Sequence, residues 1–444
     1  MSARSTAAAA FLAFAMALVP FRPAAAEPNP VTPGDFRGYG FDQCLAPTQR
    51  AMDTWLDHSP FLAVGIYISG NSRWCRSQPN LTPRWIGTQL RKGWRLLPIT
   101  LGPQASCNDA FPRYDDDPRI NGRPGRNDNY PAARRQGRAE AIKAVDAAKA
   151  LGIVPRSTLW YDLEAFDHTN RHCRESALSF LSAWTNKLHD LDYVSGVYSS
   201  AGSGIKVLDD ARVQRPGAYT MPDMIWIARW DGVANTSTSY VRPDGWIPGG
   251  RVKQYQGGHN ETWGGVTINI DRNFLDLGRG RYAPPERHCG GVNLDFARYP
   301  ALREPSGSHA PPANKVRALQ CLLQERGLYD GKLSGSYSPA TIEAVQAWQA
   351  DRGYPVSTTW SPANWIGAFA QGRDYAQKVG STGVHVRRVQ RALNAANPDL
   401  ERTINGIYSS RTKRDVRSYQ RRVDLKVTGI VNPATWAKLR AGRG

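Results

Sequence analysis

The sequence predicts an α/β chain: a TIM-type β/α barrel followed by two small all-α three-helix modules. Three observations predict it. Short apolar runs alternate with stretches of helical periodicity from Tyr39 to about Leu277. A motif of about 70 residues then occurs twice near the C-terminus. Between the two regions lies a Pro- and Ser-containing stretch of linker composition, residues 301–314. The length of 444 residues suits about three domains. Hydrophobic residues make up 41% and aromatics 10%, enough for a packed core.

Residues 1–26 have the pattern of a secretory signal: Arg4, an apolar run from Phe11 to Val19, then Ala24-Ala25-Ala26. Beyond them no apolar run is long enough to span a membrane, so no stable insertion is expected after cleavage. The strand candidates are Gly38–Asp42, Leu62–Ser69, Arg95–Thr100, Thr158–Asp162, Ser195–Tyr198, Met224–Ala228, Arg251–Tyr255 and Thr267–Ile270. Helical periodicity marks Thr48–Asp57, Pro83–Lys92, Ala132–Leu151, Cys173–Leu191 and a turn around Ile205–Ala211. Eight strands with interleaved helices suggest a parallel sheet closed on itself, so a barrel is expected over residues 35–285 and a linker over 286–314. The loop from Ser106 to Tyr130 is long and polar, as functional loops often are.

The repeat copies are expected at 315–371 and 378–442. Gly335-Ser336-Tyr337-Ser338, Thr341, Trp348-Gln349, Pro362 and Trp365 recur 71 residues later as Gly406-Ile407-Tyr408-Ser409, Thr412, Tyr419-Gln420, Pro433 and Trp436. Trp348, Trp365, Tyr419 and Trp436 are expected in the cores of these modules, because buried aromatics contribute so much area.

Lys plus Arg number 57 against 38 Asp plus Glu, a net charge of +19, which points to polyanionic surroundings. Residues 313–444 hold 21 basic against 9 acidic residues. Lys413, Arg414, Arg417 and Arg421 recur at helical spacing along one face. No helix-turn-helix, zinc-finger or other nucleic-acid motif accompanies the charge, so nucleic acid is not the expected partner.

Six cysteines, Cys44, Cys75, Cys107, Cys173, Cys289 and Cys321, suggest three disulfides in an exported chain. No CxxC or HExxH pattern is present, and His168 and His172, four residues apart, are expected as solvated loop residues, so neither a metal site nor another cofactor is expected. Fifteen pairings are open. The first four cysteines fall in loops after successive strands, which favours Cys44–Cys75 with Cys107–Cys173 and leaves Cys289–Cys321.

The segment Trp160-Tyr161-Asp162-Leu163-Glu164 carries chemistry. Positions i and i+2 of a strand point the same way, so Asp162 and Glu164 project together. Asp42 and Asp271 end the first and last strand candidates. In a parallel barrel the C-terminal strand ends build the reaction site, and four carboxylates would converge there. Glycoside hydrolysis needs a protonated carboxyl at the leaving oxygen and negative charge opposite it. Crowding raises the pKa of one carboxyl, so that it can remain an acid. Tyr67, Tyr198, Trp226, Trp230 and Tyr255, at or near strand ends, are candidates to stack on sugar faces.

The repeats resemble tandem peptidoglycan-binding modules. The barrel segments Gly40-Phe41-Asp42-Gln43-Cys44, Gly93-Trp94-Arg95-Leu96-Leu97-Pro98, Tyr161-Asp162-Leu163-Glu164 and Ile225-Trp226-Ile227-Ala228-Arg229-Trp230 resemble the glycoside-hydrolase-like domain of unknown function 1906, found in actinobacterial exported proteins. Strand order and the Asp-x-Glu pair are also similar to the family 25 lysozymes. That resemblance implies a distorted β/α barrel, Glu164 as general acid, and Asp162 orienting an N-acetyl group or stabilising the intermediate. Asp42 and Asp271 would complete the site. Pro98-Ile99-Thr100 replaces the Tyr-His-Phe of the lysozymes' third strand. The expectation is a secreted, cell-wall-associated glycoside hydrolase acting on peptidoglycan or another anionic wall polymer. The alternative is a non-catalytic wall-glycan-binding or structural protein.

Overall fold

The computed structural model describes residues 28–111, 113–114, 116–278 and 285–444. The leader expected at 1–26 lies outside the described residues. In the barrel region the elements are β1 Phe36–Asp42, α1 Gln49–His58, β2 Ala63–Ser69, α2 Pro83–Lys92, β3 Arg95–Thr100, α3 Pro131–Ala150, β4 Thr158–Asp162, α4 Arg171–Asp190, β5 Val194–Ser200, α5 Lys206–Gln214, β6 Met224–Ala228, β7 Gly250–Trp263 and β8 Val266–Leu277. Local chemistry sets the helix ends. Thr48, Thr82 and Asn170 accept hydrogen bonds from first-turn amides of α1, α2 and α4. Gly93, at φ 94°, ends α2 in the left-handed conformation that favours glycine.

The eight strands close in sequence order. The expected all-parallel barrel needs one correction: β8 runs antiparallel to both β7 and β1. The reason is local. β7 extends to Trp263 and turns through Gly264 and Gly265, both at positive φ, directly into β8. A two-residue connection permits only an antiparallel return. The barrel interior is filled by aromatic rings that glycines make room for. Trp160 and Trp226 meet edge to face at 5.5 Å. A Cβ on Gly196 would lie 2.4 Å from the Trp160 ring, and one on Gly65 would lie 2.5 Å from Asp42 Cβ.

C-terminal to the barrel come α6 Ala313–Gln324, α7 Pro339–Asp351, α8 Pro362–Phe369, α9 Val384–Ala396, α10 Ser410–Arg422 and α11 Pro433–Arg440. The repeat motif has a structural meaning. Gln320 and Gln390 each take an amide hydrogen bond from the motif glycine, Gly335 or Gly406, and donate to the next residue's carbonyl. Gln349 and Gln420 staple the loops before α8 and α11 in the same way. Trp348, Trp365, Tyr419 and Trp436 are fully buried. Tyr299 and Leu302, just before and within the stretch of linker composition, are also buried in this core, and Leu302 pairs with Trp360 as Gln377 pairs with Val431. The six helices share one hydrophobic cluster.

Lys378 joins this helical unit to the barrel. Its ammonium, 1% exposed as a residue, donates to the carbonyls of Leu56, Ser59 (2.8 Å) and Phe61 (3.2 Å), with Trp55 O at 3.4 Å. These carbonyls lie at and just beyond the C-terminal turn of α1, where a cation is favoured. Burial nonetheless pushes its pKa down to about 7.

The disulfides are Cys44–Cys75, Cys107–Cys173 and Cys289–Cys321. The first joins the loops after β1 and β2, the second ties the long loop to α4, and the third holds the segment after the barrel to α6.

Candidate active site

Asp42 is the last residue of β1 and lies directly across from Asp271 in the β1–β8 ladder. Opposed residues of an antiparallel pair have Cβ atoms about 4.5–5.5 Å apart. Asp271 therefore reaches the mouth because β8 enters there, in mid-strand, and not because a parallel strand ends there. Asp42 is held by Asn273, whose Nδ2 lies 2.5 Å from Oδ1, and by Gln254 at 3.3 Å. Asn273 is fixed in turn by the Trp226 indole N–H at 2.7 Å.

Asp162 closes β4, and Glu164 follows in the loop. Gln104 fastens this turn: its Nε2 donates to Asp162 O and its Oε1 accepts from Glu164 N, both at 2.8 Å. Tyr67 on β2 donates its hydroxyl to Asp162 Oδ2 at 3.3 Å, while Oδ1 is buried with no partner among the described residues. A cavity of about 520 Å³ opens above, lined by Asp42, Tyr67, Glu164 and Asp271. Asp162 lies beneath it against Tyr67.

All four carboxyls are pushed toward the neutral form, and burial is the largest cause for each. Asp42 is raised further by Asp271, and Asp162 further by Glu164. Glu164 is raised by burial and drawn back by the Arg113 guanidinium. Asp271 is pushed up to about 6. Tyr67 and Tyr198 are likewise raised, by burial and then by the surrounding carboxylates. Glu164, at the cavity wall and biased by burial toward its acid form, can deliver a proton to a bound oxygen.

The aromatic candidates divide. Tyr67 lines the cavity. Tyr198 donates to Gln254 Oε1 at 3.0 Å, and Trp230, 67% exposed, donates to the same atom at 2.9 Å, so both stand beside Asp42. Trp226 is buried in the barrel interior. Tyr255 is also buried and sits at a bulge between Gln254 and Gln256, with Arg272, Tyr39 and Glu261 as its charged or polar neighbours. Neither of these two lines the cavity. The reading of the sequence missed Gln43, Arg73, Trp74 and Arg113, which do. Gln43 follows Asp42 directly, and both of its buried amide atoms lack a partner among the described residues. Arg113 comes from the long loop, whose composition signalled function but not which residue carries it. Among the described residues, one group has metal-ligand spacing, Cys289, Cys321 and Glu325, and its two sulfurs are committed to a disulfide.

The family model for the "Rv2525c-like, glycoside hydrolase-like domain" matches residues 53–275, half of the chain. The chain belongs to the Rv2525c-like, glycoside hydrolase-like family. Asp162, Glu164 and Asp271 of this glycoside-hydrolase-like domain fall within the match, and Asp42 lies just before it. The model described as "Putative peptidoglycan binding domain" matches residues 312–363 and 382–439, so peptidoglycan-binding-like modules follow. Among solved structures, an uncharacterized B. stearothermophilus protein is similar at 18% identity, over 54% of this chain and 95% of its own, with a TM-score of 0.34. A family 25 glycosyl hydrolase from Bacillus anthracis is similar at 14% identity, over 58% and 96%, with a TM-score of 0.33. No curated protein matches. Among the described residues no helix is long and apolar enough to cross a membrane.

Proposed function

We propose that this protein is an exported, wall-associated glycoside hydrolase that cleaves peptidoglycan or a related wall glycan, with Glu164 as general acid. The observation that carries the reading is the set of four carboxyls gathered at one barrel mouth, all biased toward protonation, with Glu164 on the cavity wall. In this reading Glu164 protonates the leaving glycosidic oxygen, and the oxocarbenium-like charge that develops draws the neighbouring carboxyls back toward their anionic form. Asp162, steadied by Tyr67 and with Oδ1 uncommitted, orients an amide-bearing substituent. Tyr67, Trp74 and Trp230 offer sugar-stacking faces, and the C-terminal modules hold the enzyme on its insoluble substrate.

A second reading, a glycan receptor without turnover, is favoured by Arg113, whose charge draws Glu164 back toward its ionised form. Release of reducing ends from purified peptidoglycan, wild type against Glu164→Gln, separates the two. The hydrolase reading expects release by the wild type and a drop of at least about 100-fold in the variant, the lower range for removing a general acid. Absence of release with retained, saturable glycan binding would establish the receptor.

A further inference from the structure

The basic face of α10 does not all point to solvent. Lys413, half-buried, and Arg417 and Lys426, both exposed, wall a second cavity of about 300 Å³ between the two parts of the chain. The barrel contributes His58 at the end of α1, together with Tyr39 and Trp263. This volume is at the lower end of small-molecule pockets. Among the described residues no carboxylate lines it.

The charges in it are uncompensated. Some cations of the helical unit find acids: Arg387 and Arg391 pair with Asp295, Arg402 with Asp415, and Arg440 with Asp374. Among the described residues no ion pair or side-chain hydrogen bond engages Lys413, Arg417 or Lys426, and Asp415, on the same helix, is committed to Arg402. The arrangement is also held in place. Lys413 and Arg417 pass over Gly429, where an added Cβ would lie 2.7 Å and 2.9 Å from their Cγ atoms. The Gly429 carbonyl accepts from Tyr408 Oη at 2.9 Å, which fixes the loop beneath them. Burial and the neighbouring Arg417 push the Lys413 ammonium down, the signature of like charges crowded without a counter-ion. Lys378 borders the same cavity, but its donors are spent on α1.

We infer that this cleft binds a phosphate-type anion, with Lys413, Arg417 and Lys426 as its ligands and both parts of the chain as its walls. The donors come from a helix, from the loop after it and from the end of α1. Such a spread suits a tetrahedral group with acceptors in several directions better than a planar carboxylate. The apolar rings of Tyr39 and Trp263 would flank the carbon chain of a phosphodiester. Phosphodiesters occur in wall polymers and in lipid headgroups, and the test has an arm for each. The inference does not depend on turnover in the barrel.

The test is calorimetric titration of the whole chain with inorganic phosphate and with a glycerol-phosphate oligomer, and sedimentation with phosphatidylglycerol vesicles. Each is repeated for Lys413→Gln/Arg417→Gln and for Arg421→Gln/Arg422→Gln, which removes the same charge from exposed positions of α10. Circular dichroism checks the fold of both. The expected result is saturable binding of phosphate and oligomer, weakened at least tenfold in the first variant and less than twofold in the second. The same pattern with vesicles alone would assign the phosphodiester to lipid. Absence of saturable binding to the wild type, or equal loss in the two variants, would overturn the site.

Discussion

Replacing Asp271 by Asn should make the protein more stable at neutral pH while leaving it unchanged in acid. A carboxyl near 3.8 in the unfolded chain and about 6 in the barrel binds more protons folded than unfolded between those values. Stability from this group is therefore full below about 4 and falls as pH rises through about 6. At 1.36 kcal/mol per pH unit the difference is about 3 kcal/mol. Asp271 is partly open to the water-filled cleft, and screening there reduces the figure to about 1–2 kcal/mol. An amide of the same shape carries no such penalty, and it also lifts the repulsion on Asp42. At about 2–4 °C per kcal/mol, the melting temperature of the variant should rise roughly 2–8 °C at pH 8. The gain should nearly vanish near pH 3.5–4, where the wild-type carboxyl is protonated in the folded state and about half protonated in the unfolded one. Scanning calorimetry across pH 3.5–8 reads this directly. A gain of the same size at both ends, or destabilisation at pH 8, would refute the reasoning.

Lys378→Met keeps volume but leaves the carbonyls around Leu56, Ser59 and Phe61 without their donor; at about 1–3 kcal/mol for each buried unsatisfied group, a loss of about 3–5 kcal/mol is expected in urea unfolding, and a change under about 0.5 would contradict it. Cys44→Ser/Cys75→Ser opens a loop of separation 31 and should cost about 3–4 kcal/mol by chain entropy, read by calorimetry, with a weakened affinity for glycan fragments because both cysteines line the cavity. Retention of the whole chain on purified wall should fall sharply between 0.1 M and 1 M salt, as the Debye length shrinks from about 10 Å to about 3 Å; salt-independent retention would show that the excess of 21 basic over 9 acidic residues in 313–444 is not what holds it.

Much of this architecture is legible in the sequence because parallel strands are buried on both faces and bounded by helices. The candidate at Thr158–Asp162 coincides with β4, and its terminal Asp sits where a strand-end residue should. The β7–β8 hairpin was read as two short strands because its outer half, His259 to Thr262, is polar and resembles a loop. Its Gly264-Gly265 turn was a usable signal. Trp226 and Tyr255 were placed by proximity to strand ends, but which face a side chain takes depends on alternation and on the bulge at Tyr255. Arg113 could not be located, since a loop's composition does not say where its residues lie. Tyr299 and Leu302 were hidden in polar surroundings that composition assigns to a linker. On α10 the periodicity of the charges is visible, but their surroundings are not, because only the docking through Lys378 brings Lys413 and Arg417 to the edge of a cavity.

The antiparallel eighth strand bears on how the molecule assembles. β1 is an early strand to leave the ribosome, and its partner on one side is β8, whose pairing joins Phe36 to Leu277 and Asp42 to Asp271. More than 200 residues must be made before that ladder can form. Contacts so distant in sequence slow folding, and until they form both β1 and β8 present an open edge. A chain threaded across a membrane before it folds tolerates that delay, whereas one held in a crowded compartment would expose these edges to other chains. The carboxyl pair is subject to the same timing: Asp42 meets Asp271 only when the barrel closes, so the acidic cluster and the finished fold come into being in one step.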